Sequence, residues 1–289
     1  MTGNAEAARA LRVVDRARTR GIPSPPSVTR PDALPIAARG VTDVGRRRDH
    51  NEDALLVDPE LALFVVADGM GGHAGGGTAS SLAVETIQAR IRAARQADPA
   101  PFEDPVPAEA SRLPDVLRHA VEEACRSIYR AAQDDPSLAG MGTTVTAVIV
   151  AGRSAFVAHV GDSRCYLARG DRIFQVSEDH SLVNEQLKAG AITADEARSS
   201  RFRNIITRSV GFEEEVLVDV MGLEVEPGDR LVLCCDGLSN LVADEEIREI
   251  ATREPLDDSP ESLVELANER GGDDNITVIV VRIDGTGKS

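Results

Sequence analysis

Apolar residues recur along this chain in two rhythms. Short runs, "DALLVD", "LALFVVAD", "TTVTAVIVA", "SAFVAHVG", "RCYLAR", "RIFQVS", "EVLVDVMGL", "DRLVLCCD" and "NITVIVVRI", are too brief for helices and are bounded by Gly, Asp and Pro, so they predict β-strands. The first two are separated by "PE" and predict a hairpin. Leu82, Val84, Ile87 and Ile91 instead recur at helical spacing and predict an amphipathic helix over 78–96. A second helix is expected at about 115–133, with further helical stretches near 181–198, 244–252 and 259–269. Strands follow one another in runs rather than alternating with helices. That order predicts an α+β arrangement of antiparallel sheets with helices packed outside.

The pattern begins only at about residue 40. Residues 5–19 predict a short Arg-rich helix, with Asn4 as N-cap, Gly21 just past its end and Pro23 beyond. "IPSPPSVTRPDALP" then reads as a stiff Pro-rich spacer. Residues 1–39 are thus expected to be a basic tail and linker, either solvated or docked on an acidic partner or on the protein's own acidic body. Residues 40–284 form the expected folded domain, and 285–289 a short tail. "ADPAPFEDPVPAEASRLP" predicts a surface loop.

At 289 residues the chain is long enough to bury a core, and with 3% aromatics and no Trp that core must be aliphatic. The net charge of −16 argues against nucleic acid or anionic lipid as a partner. No apolar run is long enough to span a bilayer, and the N-terminus has no secretory h-region. Cys125, Cys165, Cys234 and Cys235 show no CxxC spacing and read as reduced, mostly buried thiols. A cytoplasmic location is therefore expected.

The candidate chemistry lies where the apolar runs stop. "VVADGMGGHAGGGTAS" ends a strand on Asp68 and then packs six glycines into residues 68–77. "LVLCCDG" ends on Asp236, "AHVGD" on Asp162, "GGDDN" places Asp273 and Asp274 just before a strand, and "NED" places Glu52 and Asp53 before another. A single "DG" is ordinarily a turn, and the glycine run by itself could cradle phosphate, though it lacks a P-loop signature. Five acidic strand ends in one chain fit a hard divalent cation, which takes oxygen ligands and neutralises the repulsion among them.

In order, "TDVGRRRDHNEDALL", "VVADGMGGHAGG", "MGTTVTAVIV", "AHVGDSRCYLARGD", "VSEDHSLV", "ITRSVG", "LVLCCDGLSNLV" and "GGDDNITVIVVRI" resemble the metal-dependent Ser/Thr protein phosphatases of the PPM or type 2C family, bacterial branch, over residues 41–283. The resemblance implies a four-layer α-β-β-α sandwich of two antiparallel sheets, with two Mn²⁺ or Mg²⁺ ions and a third, weaker one at one end. It implies that Asp68 bridges two metals, that the Gly69 carbonyl ligates one of them, and that Asp236 and Asp274 complete the first metal's carboxylates. Glu52 and Asp53 would hold metal-bound waters, Asp162 the third metal, and Arg48 the phosphate. Residues 181–206 would form a flap beside the cleft. The implied reaction is hydrolysis of phosphoserine and phosphothreonine by direct attack of a metal-bridging hydroxide, without a phosphoenzyme. Phosphorylated proteins, including a Ser/Thr kinase, are the implied partners of a monomeric enzyme.

The general acid is unassigned. Met70 stands where animal-type members carry His, and His73 follows three residues on in the glycine loop. A catalytically weak regulator and a small-molecule phosphatase remain alternatives on the same motifs, although every ligand position is filled. Cys234 and Cys235 read as strand packing.

Overall fold

The computed structural model describes residues 11–13, 34–71, 75–103 and 110–285. Its strands are β1 (Leu11–Val13), β2 (Ile36–Asp43), β3 (Ala54–Asp58), β4 (Leu63–Ala67), β5 (Gly69–Met70), β6 (Gly142–Thr143), β7 (Val145–Ala151), β8 (Ser154–Val160), β9 (Arg164–Arg169), β10 (Arg172–Gln175), β11 (Asp219–Glu224), β12 (Arg230–Cys234) and β13 (Ile276–Ile283). Its α-helices are α1 (Gly75–Ala97), α2 (Ala100–Glu103), α3 (Leu113–Asp134), α4 (Leu182–Lys188), α5 (Ala194–Ser199), α6 (Asp236–Ser239), α7 (Asp244–Arg253) and α8 (Ser259–Glu269).

Two antiparallel sheets, ordered β1-β11-β8-β7-β4-β3 and β10-β9-β12-β13-β2, stack face to face. The period-2 side-chain alternation of each strand divides it between two cores. In β4, Leu63, Val65 and Ala67 pack with α1 and α3, while Phe64 and Val66 face the second sheet. In β12, Leu231 and Leu233 point inward, whereas Val232 and Cys234 meet α7 and α8. Both faces are buried, which is why these strands read as unbroken apolar runs. The layers are α-β-β-α, as the resemblance implied, and the "PE" hairpin pairs β3 with β4.

Four local differences have physical causes. The sheet starts upstream of residue 40: Leu34 is buried and β2 pairs with β13 from Ile36 onward. As an edge strand with Ala, Arg and Gly interleaved, "IAARGVTD" carries little periodic signal. Of the helix expected over 5–19, only Leu11–Val13 are described, and they are a strand paired with β11; the remainder of 1–33 lies outside the described residues, as do 286–289. The helical stretch near 181–198 splits into α4 and α5, because Thr193 begins a new helix with a capping box to Glu196. The run "EVLVDVMGL" pairs only from Asp219, since the Leu217 carbonyl accepts from Arg208 in place of a neighbouring strand; the Leu217 side chain is exposed.

Ile87 lies fully buried between α1, α3 and the first sheet. Ile87→Ala is expected to lower unfolding free energy by about 2–5 kcal/mol in urea titrations while leaving far-ultraviolet circular dichroism unchanged.

Candidate metal centre

Antiparallel register determines which chain termini meet. Ala54 pairs with Ala67, Val66 with Thr146 and Val145 with Val160, so the residues before β3, after β4 and after β8 share one end of the first sheet. Cys234 pairs with both Val278 and Arg164, which places the residue after β12 at one end of the second sheet with the segment before β13. The Thr277 hydroxyl donates to Asp53 Oδ2 at 2.6 Å and joins the two ends. Asp53, Asp68, Asp162, Asp236 and Asp274, from five separate strand ends, therefore converge, with Glu52 beside them.

Asp68 is held through its backbone. Its N–H donates to Thr144 Oγ1 at 2.9 Å, and its carbonyl accepts from Thr144 N–H and Thr143 Oγ1, both at 2.9 Å. Thr144 Oγ1 also lies 2.8 Å from Ser163 Oγ, which ties Asp68 to the segment bearing Asp162. Gly69 is enforced by crowding: a Cβ there would sit 2.2 Å from the Gly76 carbonyl oxygen and 2.4 Å from that of Glu52. Gly237, just after Asp236, is equally constrained, with the Asn275 carbonyl oxygen 1.9 Å from a Cβ. The glycines let three chain segments touch around the carboxylates.

Asn275 organises the loop carrying Arg48, Glu52 and Asp53. Its amide donates to the Val44 and His50 carbonyls at 3.0 Å each, and its Oδ1 accepts from Glu52 N–H at 2.8 Å. Its place within "GGDDN" carries no local signal of this role. Its neighbour Asp274 was the conspicuous group, while an amide that both donates and accepts is visible only once its partners, more than 220 residues away in sequence, are placed.

Donor chemistry fits hard cations. Glu52 Oε1, Asp53 Oδ1, Asp162 Oδ1 and Asp236 Oδ1 are buried oxygens without a hydrogen-bond partner. Asp53, Asp68 and Cys235 each offer one atom within 4.8 Å of the others. Cys235 is already committed, since its thiol donates to the Asn275 carbonyl and accepts from Thr277 N–H, and burial raises its pKa so that it stays neutral. The partnerless oxygens are the candidate ligands. Arg48 Nη2 donates to Asp274 Oδ2 at 2.7 Å, and half of its side chain is exposed. Met70 pairs with Gly142 in β5–β6, and its thioether carries no proton to donate. His73 lies outside the described residues.

Electrostatics record the crowding. Burial and the charges of Asp53, Asp236, Asp162 and Asp274 push the Asp68 carboxyl well above the ordinary carboxylate range. Asp53 is raised to about 6, chiefly by burial and against the Thr277 hydrogen bond. Asp162 is raised to about 8 by burial, with Asp236 and Asp179 adding to it. Asp236 also rises, through burial and Asp274.

Two outcomes are expected. Asp53 and Asp162 hold their protons to higher pH when folded than when unfolded, where carboxyls titrate near 3.8. Between about pH 4 and 8 these carboxyls bind more protons in the folded state, so their contribution to stability in chelator falls as pH rises, opposed below about pH 6.5 by the buried His159, which burial lowers to about 4. Thermal melts in chelator from pH 5 to 8 should show a decreasing Tm, with Mn²⁺ raising Tm most at the alkaline end. Separately, Asn275→Ala should cost about 1–3 kcal/mol in urea unfolding, because buried partners lose their hydrogen bonds, and should weaken Mn²⁺ binding measured by calorimetry.

Comparison with known proteins agrees with this architecture. The family profile described as Protein phosphatase 2C matches residues 44–278. The chain is 38% identical over 248 residues to "Protein phosphatase PhpP" of Streptococcus pneumoniae, covering 84% of this chain and 96% of that protein. It superposes on the crystal structure of the Mycobacterium tuberculosis serine/threonine phosphatase PstP/Ppp with a TM-score of 0.77 and 34% identity, covering 86% of this chain and 99% of that one. The catalytic domain of PstP in complex with two manganese ions matches at a TM-score of 0.74 and 33% identity, over 86% of this chain and 99% of that one. With its two stacked sheets, its convergent carboxylates and a match along most of its length, the chain belongs to the Protein phosphatase 2C family.

Proposed function

We propose that the carboxylate cluster is a binuclear centre for Mn²⁺ or Mg²⁺ at which phosphoserine and phosphothreonine of proteins are hydrolysed. The observation that carries this reading is the set of four buried, partnerless carboxylate oxygens gathered at one end of the sandwich with Arg48 beside them. Cations bound there supply Lewis-acid activation of the phosphoryl group and of a water nucleophile.

The chain's own residues do the rest. Asp68, the Gly69 carbonyl, Asp236 and Asp274 hold the metal pair. Glu52 and Asp53 orient the surrounding water, and Asp162 serves a third, weaker site. The Thr143–Thr144 and Asn275 hydrogen bonds hold these groups before substrate arrives, so little reorganisation is left for the reaction. Arg48 offers a planar guanidinium to two phosphoryl oxygens. Burial of Cys125, Cys165, Cys234 and Cys235, with each thiol pKa raised, is consistent with direct hydrolysis and not with a cysteine nucleophile. We further infer a monomeric, cytoplasmic enzyme whose substrates include a Ser/Thr kinase; no helix among the described residues is long and apolar enough to cross a membrane.

Phosphate release from a phosphothreonine peptide should require Mn²⁺ or Mg²⁺ and cease in chelator. Asp68→Asn should lower kcat by about 100-fold or more. Arg48→Ala should lower kcat/KM by about 10–100-fold, the worth of charge-assisted hydrogen bonds to a phosphoryl group. Metal binding without phosphate release would leave a binding regulator instead.

A further inference from the structure

A cavity of about 690 Å³ opens directly beside the carboxylate cluster, bounded at that end by Asp162 and Asp236. It runs between the flap, which contributes Val183 and Leu187 from α4, and the segment joining α6 to α7, which contributes Val242. Asp244 and Glu245 also line it. Resting on the phosphatase reading above, we propose that this cavity is a subsite for a basic residue of the substrate polypeptide, close in sequence to the phosphorylated serine or threonine, with Asp244 and Glu245 receiving its charge.

Three observations converge on that occupant. The first is polarity, since a lining that mixes aliphatic side chains such as Ile173, Val183 and Val242 with carboxylates suits an Arg or Lys, whose methylene stem packs on apolar surface while its head reaches acid. The second is how Asp244 is held. Arg164 is clamped by Asp179 through Nε at 3.0 Å and Nη2 at 2.6 Å, and its Nη1 donates to the Tyr166 hydroxyl at 3.0 Å. The fully buried Tyr166 in turn donates to Asp244 Oδ1 at 3.0 Å. The dipole of α7 would by itself account for acids in this helix's first turn. It does not account for a core phenol and a half-buried ion pair that hold one of them at the cavity. A carboxylate fixed in this way loses little freedom when a cation binds.

Third, the chain carries a net charge of −16, so an acid-rich phosphopeptide is repelled on approach and a basic flank is drawn in. Of the two arginines that line the cavity, Arg164 is committed to Asp179, and Arg203 belongs to the 181–206 segment. An acidic flank recognised by Arg203 is the competing outcome.

The test uses the full chain with Mn²⁺ and three phosphothreonine peptides identical except for Arg, Ala or Glu at the flanking positions, with p-nitrophenyl phosphate as a flank-free substrate. The wild type should favour the Arg peptide over the Glu peptide by about fivefold in kcat/KM, the order supplied by one or two solvent-exposed ion pairs. Asp244→Asn and Glu245→Lys should each erode that ratio, the second most strongly, with p-nitrophenyl phosphate turnover unchanged within about twofold. Tyr166→Phe should reproduce part of the Asp244→Asn effect. Glu245 is exposed at its helix start, where it pairs with Arg248 of the same helix at 2.9 Å, so its variant reports even if another fails to fold. Equal turnover of the three peptides, preference for the Glu peptide, or a ratio unmoved in both acidic variants would overturn the subsite. Absence of metal-dependent turnover of p-nitrophenyl phosphate would instead overturn the phosphatase reading itself.

Discussion

Mutual repulsion among carboxylates packed at one end of the sandwich is the constraint to which the rest of the molecule answers. Asp53, Asp68, Asp162 and Asp236 all sit where their charged forms are disfavoured, by burial first and by each other second. Such a site cannot be held by the carboxylates' own contacts, because those contacts are unfavourable without a cation. Its geometry has to be imposed from outside, by backbone hydrogen bonds, by close chain approach and by two rigid sheets.

The sandwich meets that demand by dividing the ligands between its layers. The first sheet presents Asp53, Asp68 and Asp162 at strand ends, and the second presents Asp236 and Asp274. Neither sheet alone assembles a pair of cation sites. The aliphatic core between them, filled from both sides by residues such as Val66, Val157, Leu233 and Ile279, thereby sets the spacing of the candidate ligands. A core lesion far from the cluster can act on the cluster through this shared spacing.

The polar residues around the cluster do different work from the carboxylates. Thr143, Thr144, Ser163, Thr277 and Asn275 are buried, and each spends its hydrogen-bonding capacity on a neighbouring segment. They are the mechanical frame of the site, and Arg164, Tyr166 and Asp179 extend a similar frame toward the flap. Preorganisation of this kind suits phosphoryl transfer, in which positioning and charge neutralisation carry nearly all of the catalysis.

How much of this was legible in the chain follows from the range of the physics involved. Strand and helix identity depend on periodicity within a dozen residues, and the runs "TVTAVIVA" and "RLVLC" and the Leu82–Ile91 pattern resolved into β7, β12 and α1. Acids placed at strand ends beside Gly were likewise visible locally, as was the family resemblance of their order. β2 escaped notice because an edge strand half open to solvent needs no apolar alternation, and it exists through its pairing with β13. The amide of Asn275, the acid that the Tyr166 phenol holds and the convergence of two sheet ends were beyond reach for the same reason: the partners lie from 78 to more than two hundred residues away. Sequence alone determined which side chains are present and which local shapes the backbone prefers. Only the tertiary structure decided which strand ends meet, because antiparallel register acts between segments remote in the chain, and it is that meeting which turns scattered aspartates into a candidate metal centre.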